Sequence, residues 1–457
     1  MSYQETYQDC LTYIDSYWEK ITHKPEKRKI NQHVITIPHT YISPNVAWVA
    51  GNQPYMFYWD TFFMFRGLIG TKREWILREM VNNFTYIFTK HGIIPNFNAP
   101  VSMGRSQPPF LSSMILDTYN GYYFAYKRRG KFHEALFDLT PHKQWLKKAV
   151  VAAKLEYNQV WLDPDKKYNH SVKDFGLARY GDRDIGYAHS SELESGWDFT
   201  SRFYNRCNEF FPIDLNVYLY KYERDFAKIA FHLEDRVEEE KWKKIADKRK
   251  EEINKLMWDE KKGFFYDYCY TNNRISDFLS LASFTPLWAG LATADQAKRM
   301  IKKLRLFETD YGLVITAKES LAPQVELNNI PLRYRDAIVD VLEPKQWDYP
   351  NIWSPLEYLT VIGLLKYGYV EDARRIMLKS VRAHAANFKK YGTFFEKING
   401  QTGDIPESYH YKSQEGFGWT NAVFYRYVQL LDKIDSGVDI YKQPKNSQAP
   451  YGLSVLH

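Results

Sequence analysis

Apolar and polar positions alternate with the period of a helix along nearly the whole chain. Leu215, Leu219, Tyr222, Phe226, Ile229 and Leu233 step by four and three, so they share one helix face. Val370, Ala373, Met377, Val381 and Phe388 form a second stripe, and Ile76, Met80, Phe84 and Ile87 a third. Start signals accompany them. Thr71 with Glu74, Thr293 with Gln296 and Ser354 with Glu357 have capping-box spacing, which closes free N–H groups of a first turn. Pro355 occupies the favoured first helical position. Gly92, following Lys90 and His91 and preceding Pro95, marks a stop. Strand signals are few; "GFFYDYCY" (263–270) predicts a small hairpin. No Pro/Gly/Ser-rich linker divides the chain. The reading is one all-α domain over 1–457, with its core from about 40 to 434 and an irregular tail at 435–457. Helical pairs repeated this often must stack or close into a ring to bury their apolar faces.

The unusual residues cluster where helices begin. "RSQPPFLSSM" (105–114), "QWDYPNIWSP" (346–355) and "GFGWTNAVFYRYVQLL" (416–431) each run into a periodic helical segment. In a toroid of alternating helices, the entrances of every second helix lie at one end. Motifs far apart in the chain would meet there in one pocket.

Composition narrows the function. The chain is 44% hydrophobic and 17% aromatic, enough for a large core with ring faces to spare. The net charge of +7 is diluted among mixed signs, as in "EEEKWKKIADKRKEEINK" (238–255), which reads as a solvated helix face and not a nucleic-acid stripe. Cys10, Cys207 and Cys269 make no disulfide framework and no CxxC pattern, which fits a reducing compartment. The start "MSYQETYQDCLTYIDSYWEK" has no basic-then-apolar leader, and no window nears 18 consecutive apolar residues. The expected location is cytoplasmic, with no membrane partner. HExxH, GxxxxGK[ST], GxSxG and GxGxxG signatures are missing, and the 12 His lack ligand spacing. No metal and no nucleotide is expected.

What remains is acid beside aromatic ring: Trp59–Asp60, Trp197–Asp198, Trp258–Asp259 and Trp347–Asp348. Sugars offer C–H faces to rings and hydroxyls to Asp, Asn, Gln and Arg. Splitting a glycosidic bond takes two carboxyl groups, one to protonate the leaving oxygen and one to activate water or attack directly. The proton donor needs a raised pKa, which an apolar wall provides. Trp197 and Phe199 flank Asp198 in that manner. A plainer role for Asp198 is to cap a helix or to pair with Arg202.

Four strings resemble the trehalases of glycoside hydrolase family 37: "GWDFTSRF", "QWDYPNIWSP", "IPNFNAPVSMGRSQPPF" and "FPIDLNVYLYKYE". The family's versions are SGWD(Y/F)SSRW, QWDxPNxWxP, IPN…RSQPPF and PVDLN. "EGFGWTNAV" is similar to its DGFGWTNGV, and the matches keep their order from about residue 50 to 430. The resemblance implies an (α/α)6 barrel with short β-hairpins and loops at one end, inverting hydrolysis of a small α-linked disaccharide or glucoside, and no cofactor. It implies Asp198 as general acid and Glu396, in "FFEKING", as general base; the plainer role for Glu396 is a solvated loop acid beside Lys397. It implies sugar contacts from Trp59, Asp60, Asn96, Arg105, Gln107, Gly196, Trp197, Trp347, Asp348 and Trp419. In an inverting enzyme the two carboxyls stand roughly 6.5–9.5 Å apart.

The chain also departs from that pattern. The family's PGGRF arginine is missing from "VAGNQPYMFYWD", where Asn52 or Gln53 stands nearby. Its PRPESY segment has no counterpart in "ARYGDRDIGYAHSSE", its GGGEY glutamate falls near His410 with Glu407 close by, and Ile398 replaces the tyrosine of EKY. These positions concern mainly the leaving-group sugar. "FFEKINGQTGD" resembles the EYYxPxTGE of glycoside hydrolase family 63, which implies a glycosyl-glycerate or other α-glucoside or α-mannoside as alternative substrate. A sugar-binding protein without catalysis is the remaining alternative. Gly400 and Gly416 would permit a loop to move over the pocket. Oligomeric state is not written in the sequence.

Overall fold

A helix that is apolar on every side must be surrounded, whereas one with a single apolar stripe lies on the outside. Both kinds alternate in the computed structural model, which describes residues 2–25, 33–47, 49–50, 53–128, 140–172, 175–183, 188–321, 344–407 and 411–438. The twelve helices that form its ring are α1 (Gln8–Ile21), α2 (Tyr58–Phe65), α3 (Trp75–His91), α4 (Leu111–Arg128), α5 (Thr140–Glu156), α6 (Ile213–His232), α7 (Arg236–Met257), α8 (Thr285–Ala289), α9 (Ala294–Ile301), α10 (Ser354–Lys366), α11 (Val370–Tyr391) and α12 (Gly418–Asp435).

The even-numbered helices are inner. All of α2 is buried, as is α10 from Ser354 to Leu365. They touch in the order α2–α4–α6–α8–α10–α12, and α12 closes back onto α2. Odd-numbered helices lie outside and bury one face each. On α11 the buried set includes Ala373, Met377 and Val381, with Phe388 half-buried, as the periodicity predicts. Ile76, Met80, Phe84 and Ile87 of α3 are all buried, and so are Leu215, Leu219, Tyr222, Phe226 and Ile229 of α6. This is the (α/α)6 toroid expected from the sequence. Because α1 packs on α12, the ring extends ahead of residue 40.

Local signals fared unevenly. Thr293 and Gln296 form their capping box, with N–H···O distances of 3.1 and 2.9 Å. Gly92 ends α3 in the left-handed conformation. The boxes at Thr71 and Ser354 do not form. Thr71 accepts from the Arg73 N–H in a turn before α3, while the Glu74 side chain packs against Gly121. Ser354 already lies inside α10, and Glu357 accepts from the Leu313 N–H at 2.8 Å. At Glu357 a tertiary partner captured the carboxylate that the local box required. The single hairpin expected at 263–270 is instead divided between two small sheets. Phe264–Phe265 pairs with Trp258–Asp259, and Tyr268–Cys269 pairs with Phe210–Phe211 and Arg274–Ile275. A further ladder, Asn351–Trp353 against Lys397–Asn399, joins two loops at the inner-helix entrances. The tail from residue 439 lies outside the described residues.

Candidate active site

The inner-helix entrances do gather at one end, around a pocket of about 730 Å³, part of it open to solvent. Trp59 and Asp60 come from the first turn of α2, and Trp419 from that of α12. Gln107 precedes α4 and Trp353 precedes α10; Asp198 and Glu396 sit on loops. Asn96, Arg105 and Gly196 complete the expected residues that line the pocket.

Each is held from behind. The Trp59 N–H donates to Gln107 Oε1 at 3.0 Å, and the Asn96 amide donates to the Leu193 carbonyl at 3.1 Å. Arg105 Nη1 lies 3.2 Å from Asp182 Oδ2. Buried Glu194 ties the acid loop to the segment before α4: it accepts from the N–H groups of Ser106 and Gly181, each at 2.7 Å. His170 Nε2 lies 2.8 Å from the same carboxylate. Burial opposes the charge on His170, but the Glu194 carboxylate outweighs it and raises the imidazole above its usual range.

Three expected sugar contacts stand behind the wall and do not line it. Trp197 and Trp347 are buried and stack at 5.5 Å and 17°, and Trp347 stacks on Trp353 at 4.0 Å and 7°. Trp347 Nε1 donates to Asp198 Oδ1 at 3.3 Å. Asp348 is fully buried and works as a staple. It accepts from Thr200 Oγ1 at 3.0 Å, Ser201 Oγ at 2.6 Å and the Lys345 N–H at 2.8 Å. Trp258 and Asp259 sit on the hairpin beyond α7, with Trp258 Nε1 donating to Glu260. The recurring ring–acid pairs thus have three uses: lining, support and surface. Arg202 does not pair with Asp198. Its guanidinium grips Asp267 at 2.6 and 2.8 Å and Asp214 at 2.8 and 2.9 Å, and lies 4.5 Å over Trp197.

Asp198 and Glu396 line the same pocket from segments far apart in the chain. Burial, and then the charge of Glu396, push the Asp198 carboxyl up to about 7. Burial also raises Glu396, against the pull of Lys397 and of the Tyr411 hydroxyl, which donates to Oε1 at 3.0 Å. Asp60 is raised well above the carboxylate range by burial, with the charges of Glu396 and Asp198 adding to it. Glu396 is therefore no solvated loop acid. Its carbonyl accepts from Trp419 Nε1 at 3.0 Å. A half-buried acid up to about 7 beside a second carboxyl restrained by a cation is the pairing that acid–base cleavage needs.

Pro44, Phe57, Phe97, Leu193, Trp353, Tyr411 and Phe417 line the pocket without having been expected. Phe57, Phe97, Trp353 and Phe417 lay inside quoted strings, whereas Pro44, Leu193 and Tyr411 carry no local signature. Of the departing positions, Asn52 and His410 lie outside the described residues, and Glu407 is exposed. Gly400 and Gly416 are enclosed: a Cβ would meet Pro350 O at 2.8 Å in the first case and the Tyr17 ring in the second. Both are close-packed positions that a side chain would disrupt.

Gly196 has φ +76°, and a Cβ there would meet the Trp59 ring at 2.9 Å. Gly196→Ala is expected to displace Trp59 or the Asp198 loop and lower kcat/KM about 10²-fold, with a small fall in Tm. Steady-state kinetics with a thermal melt would check this; unchanged kcat/KM would show that the ring yields without cost.

A closed double ring of helices with a tryptophan-walled, carboxyl-lined pocket at the inner entrances defines the (α/α)6 glycoside hydrolase class. The model of the Trehalase family matches residues 2–434, and the chain belongs to that family. It is 29% identical over 453 residues to the cytosolic neutral trehalase of Kluyveromyces lactis, covering 85% of this chain and 57% of that one. It is 29% identical over 475 residues to the periplasmic trehalase of Xanthomonas campestris, covering 96% and 74%. The chain thus spans little more than half of the first relative's length. Among solved structures, neutral trehalase from Saccharomyces cerevisiae superposes with a TM-score of 0.69 at 27% identity, covering 88% of this chain and 76% of that one. A family 63 mannosylglycerate hydrolase from Thermus thermophilus, in complex with glucose, gives 0.60 at 16% identity, covering 91% and 99%, a likeness of fold alone. Among the described residues, no helix is long and apolar enough to cross a membrane.

Proposed function

We propose that the protein is an inverting α-glycosidase that hydrolyses a small α-glucoside, with trehalose as its first substrate. The observation that carries this is Asp198, up to about 7, facing the same cavity as Glu396. Asp198 gives its proton to the glycosidic oxygen as the C–O bond breaks. Glu396 takes a proton from the water that attacks the anomeric carbon from the other face. Trp59, Trp353 and Trp419 offer ring faces to the sugar, and Asp60, Asn96 and Gln107 its hydroxyl partners. Both carboxyls are in place, which supports catalysis over binding alone. The three cysteines are free and buried, which fits the cytoplasmic reading.

The test is trehalose hydrolysis followed by NMR. Inversion yields one β-glucose and one α-glucose per bond at early times; two α-glucoses would refute the mechanism. Because Asp198 must hold its proton, kcat/KM should fall as pH rises through about 7. A plateau extending to about two units higher would remove Asp198 from that role.

Arg105 favours a second substrate, since it is the one cation among the described lining residues and would meet an anionic leaving group such as glycerate. Comparing kcat/KM for trehalose, glucosylglycerate and mannosylglycerate decides between them. Trehalose is expected to lead by at least about tenfold, and a glycosyl-glycerate leading by that margin would reverse the assignment.

A further inference from the structure

Three carboxyl groups face one cavity, and the proposed chemistry needs one ionised and another protonated. Asp60, Asp198 and Glu396 all line the pocket, and burial raises each of them. Repulsion among like charges limits how many ionise but does not choose which one. The choice needs an asymmetric neighbour. Among the described residues, the one ion pair that any of the three makes is Glu396 with Lys397, Oε2 to Nζ at 3.1 Å.

That ammonium is held on every side. Nζ also donates to Gln346 Oε1 at 3.1 Å, and it lies 4.5 Å from the centroid of the Trp353 ring and 4.0 Å from that of Tyr411. Lys397 is buried, and its backbone pairs with that of Trp353 in the short ladder. Desolvated cation–π contacts of this kind fix a charge that would otherwise seek water. We propose that Lys397 is a positioning residue that fixes the negative charge on Glu396 and so leaves the proton of the site on Asp198. The proposal rests on the reading of Glu396 as base.

The groups facing Glu396 are Lys397, the Tyr411 hydroxyl, the Gln414 backbone, and Asp198 and Asp60 across the cavity. Lys397 supplies the one positive charge in that set. Without it, Glu396 holds a proton to higher pH. The base must be ionised in the free enzyme, so the acidic limb of kcat/KM then moves upward. The limbs belong to the coupled pair, so the limb as a whole is the readout.

The experiment compares Lys397→Met, Lys397→Gln and Lys397→Arg with the native protein over about pH 4–9, with a thermal melt of each. The Met and Gln variants should raise the acidic limb by about one unit, which is about a tenfold loss of kcat/KM on that side. Arg should bring the limb back toward the native position. An unmoved limb in a folded Met or Gln variant overturns the proposal, as does an Arg variant shifted as far as Met. If neither neutral variant folds, Gln346→Leu carries the test. It loosens the ammonium, together with the Tyr411 hydroxyl that also bonds Gln346, and should move the limb the same way; a limb that stays put overturns the proposal. Wild-type activity in Glu396→Gln would instead sink the base assignment itself.

Discussion

Asp198→Asn should lower kcat on trehalose by about 10²–10⁴-fold while leaving the fold intact. The substitution keeps the shape of the side chain and an acceptor for Trp347 Nε1, the hydrogen bond that orients it. It also puts a neutral amide where burial and the Glu396 charge already favour the neutral carboxyl, so stability should hold, or rise as pH passes about 7. Glu396→Gln should cost a similar factor, because an amide cannot take a proton from water. Leaving-group chemistry separates the two roles. α-Glucosyl fluoride needs little protonation to depart, so Asp198→Asn should retain most activity on it, and Glu396→Gln should lose both substrates. Combining the two should cost scarcely more than the worse single change, since they act in one step. Near-native turnover of trehalose by either variant would refute the role given to that residue.

Arg202→Met should destabilise the protein by about 3–5 kcal/mol. The guanidinium is fully buried and bonds both Asp214 and Asp267 through four contacts. Methionine fills much of the volume but leaves two carboxylates without their cation in a low-dielectric interior. Trp197 also loses the charge stacked on its face, and the loop that presents Asp198 lies directly beyond. Activity should therefore fall before the global transition. Chemical denaturation measures the loss, and a value under about 1 kcal/mol would show that water reaches the acid pair.

Much of the architecture could be read from periodicity alone, because inner and outer helices bury different fractions of their surface. Stripes such as Ile76–Ile87 predicted their helices, and the clustering of odd residues at helix starts predicted one pocket. Both proposed catalytic carboxyls were found through resemblance, not through any local rule. Tyr411 escaped, since its hydroxyl reaches Glu396 across the fold; Lys397 was seen beside Glu396, but its burial against Trp353 and Gln346 depends on the ladder of 351–353 with 397–399. Asp348 misled in the other direction. Its string matched a sugar-binding signature, yet in the fold the carboxylate is consumed by Thr200, Ser201 and Lys345. Glu357 failed as a cap for the same reason: a three-residue spacing cannot report a partner that arrives from elsewhere.

Two parallel indoles, Trp347 and Trp353, separate the acid loop from the base loop, since one touches Asp198 and the other carries the cation that holds Glu396. On the proposed reading, this stack of flat rings spaces the loop of the proton donor from that of the proton acceptor. A spacer of aliphatic carbon would let the loops slide, and a thinner one would draw the carboxyls toward the narrower span of a double-displacement enzyme. On that reading, stereochemistry is a matter of masonry.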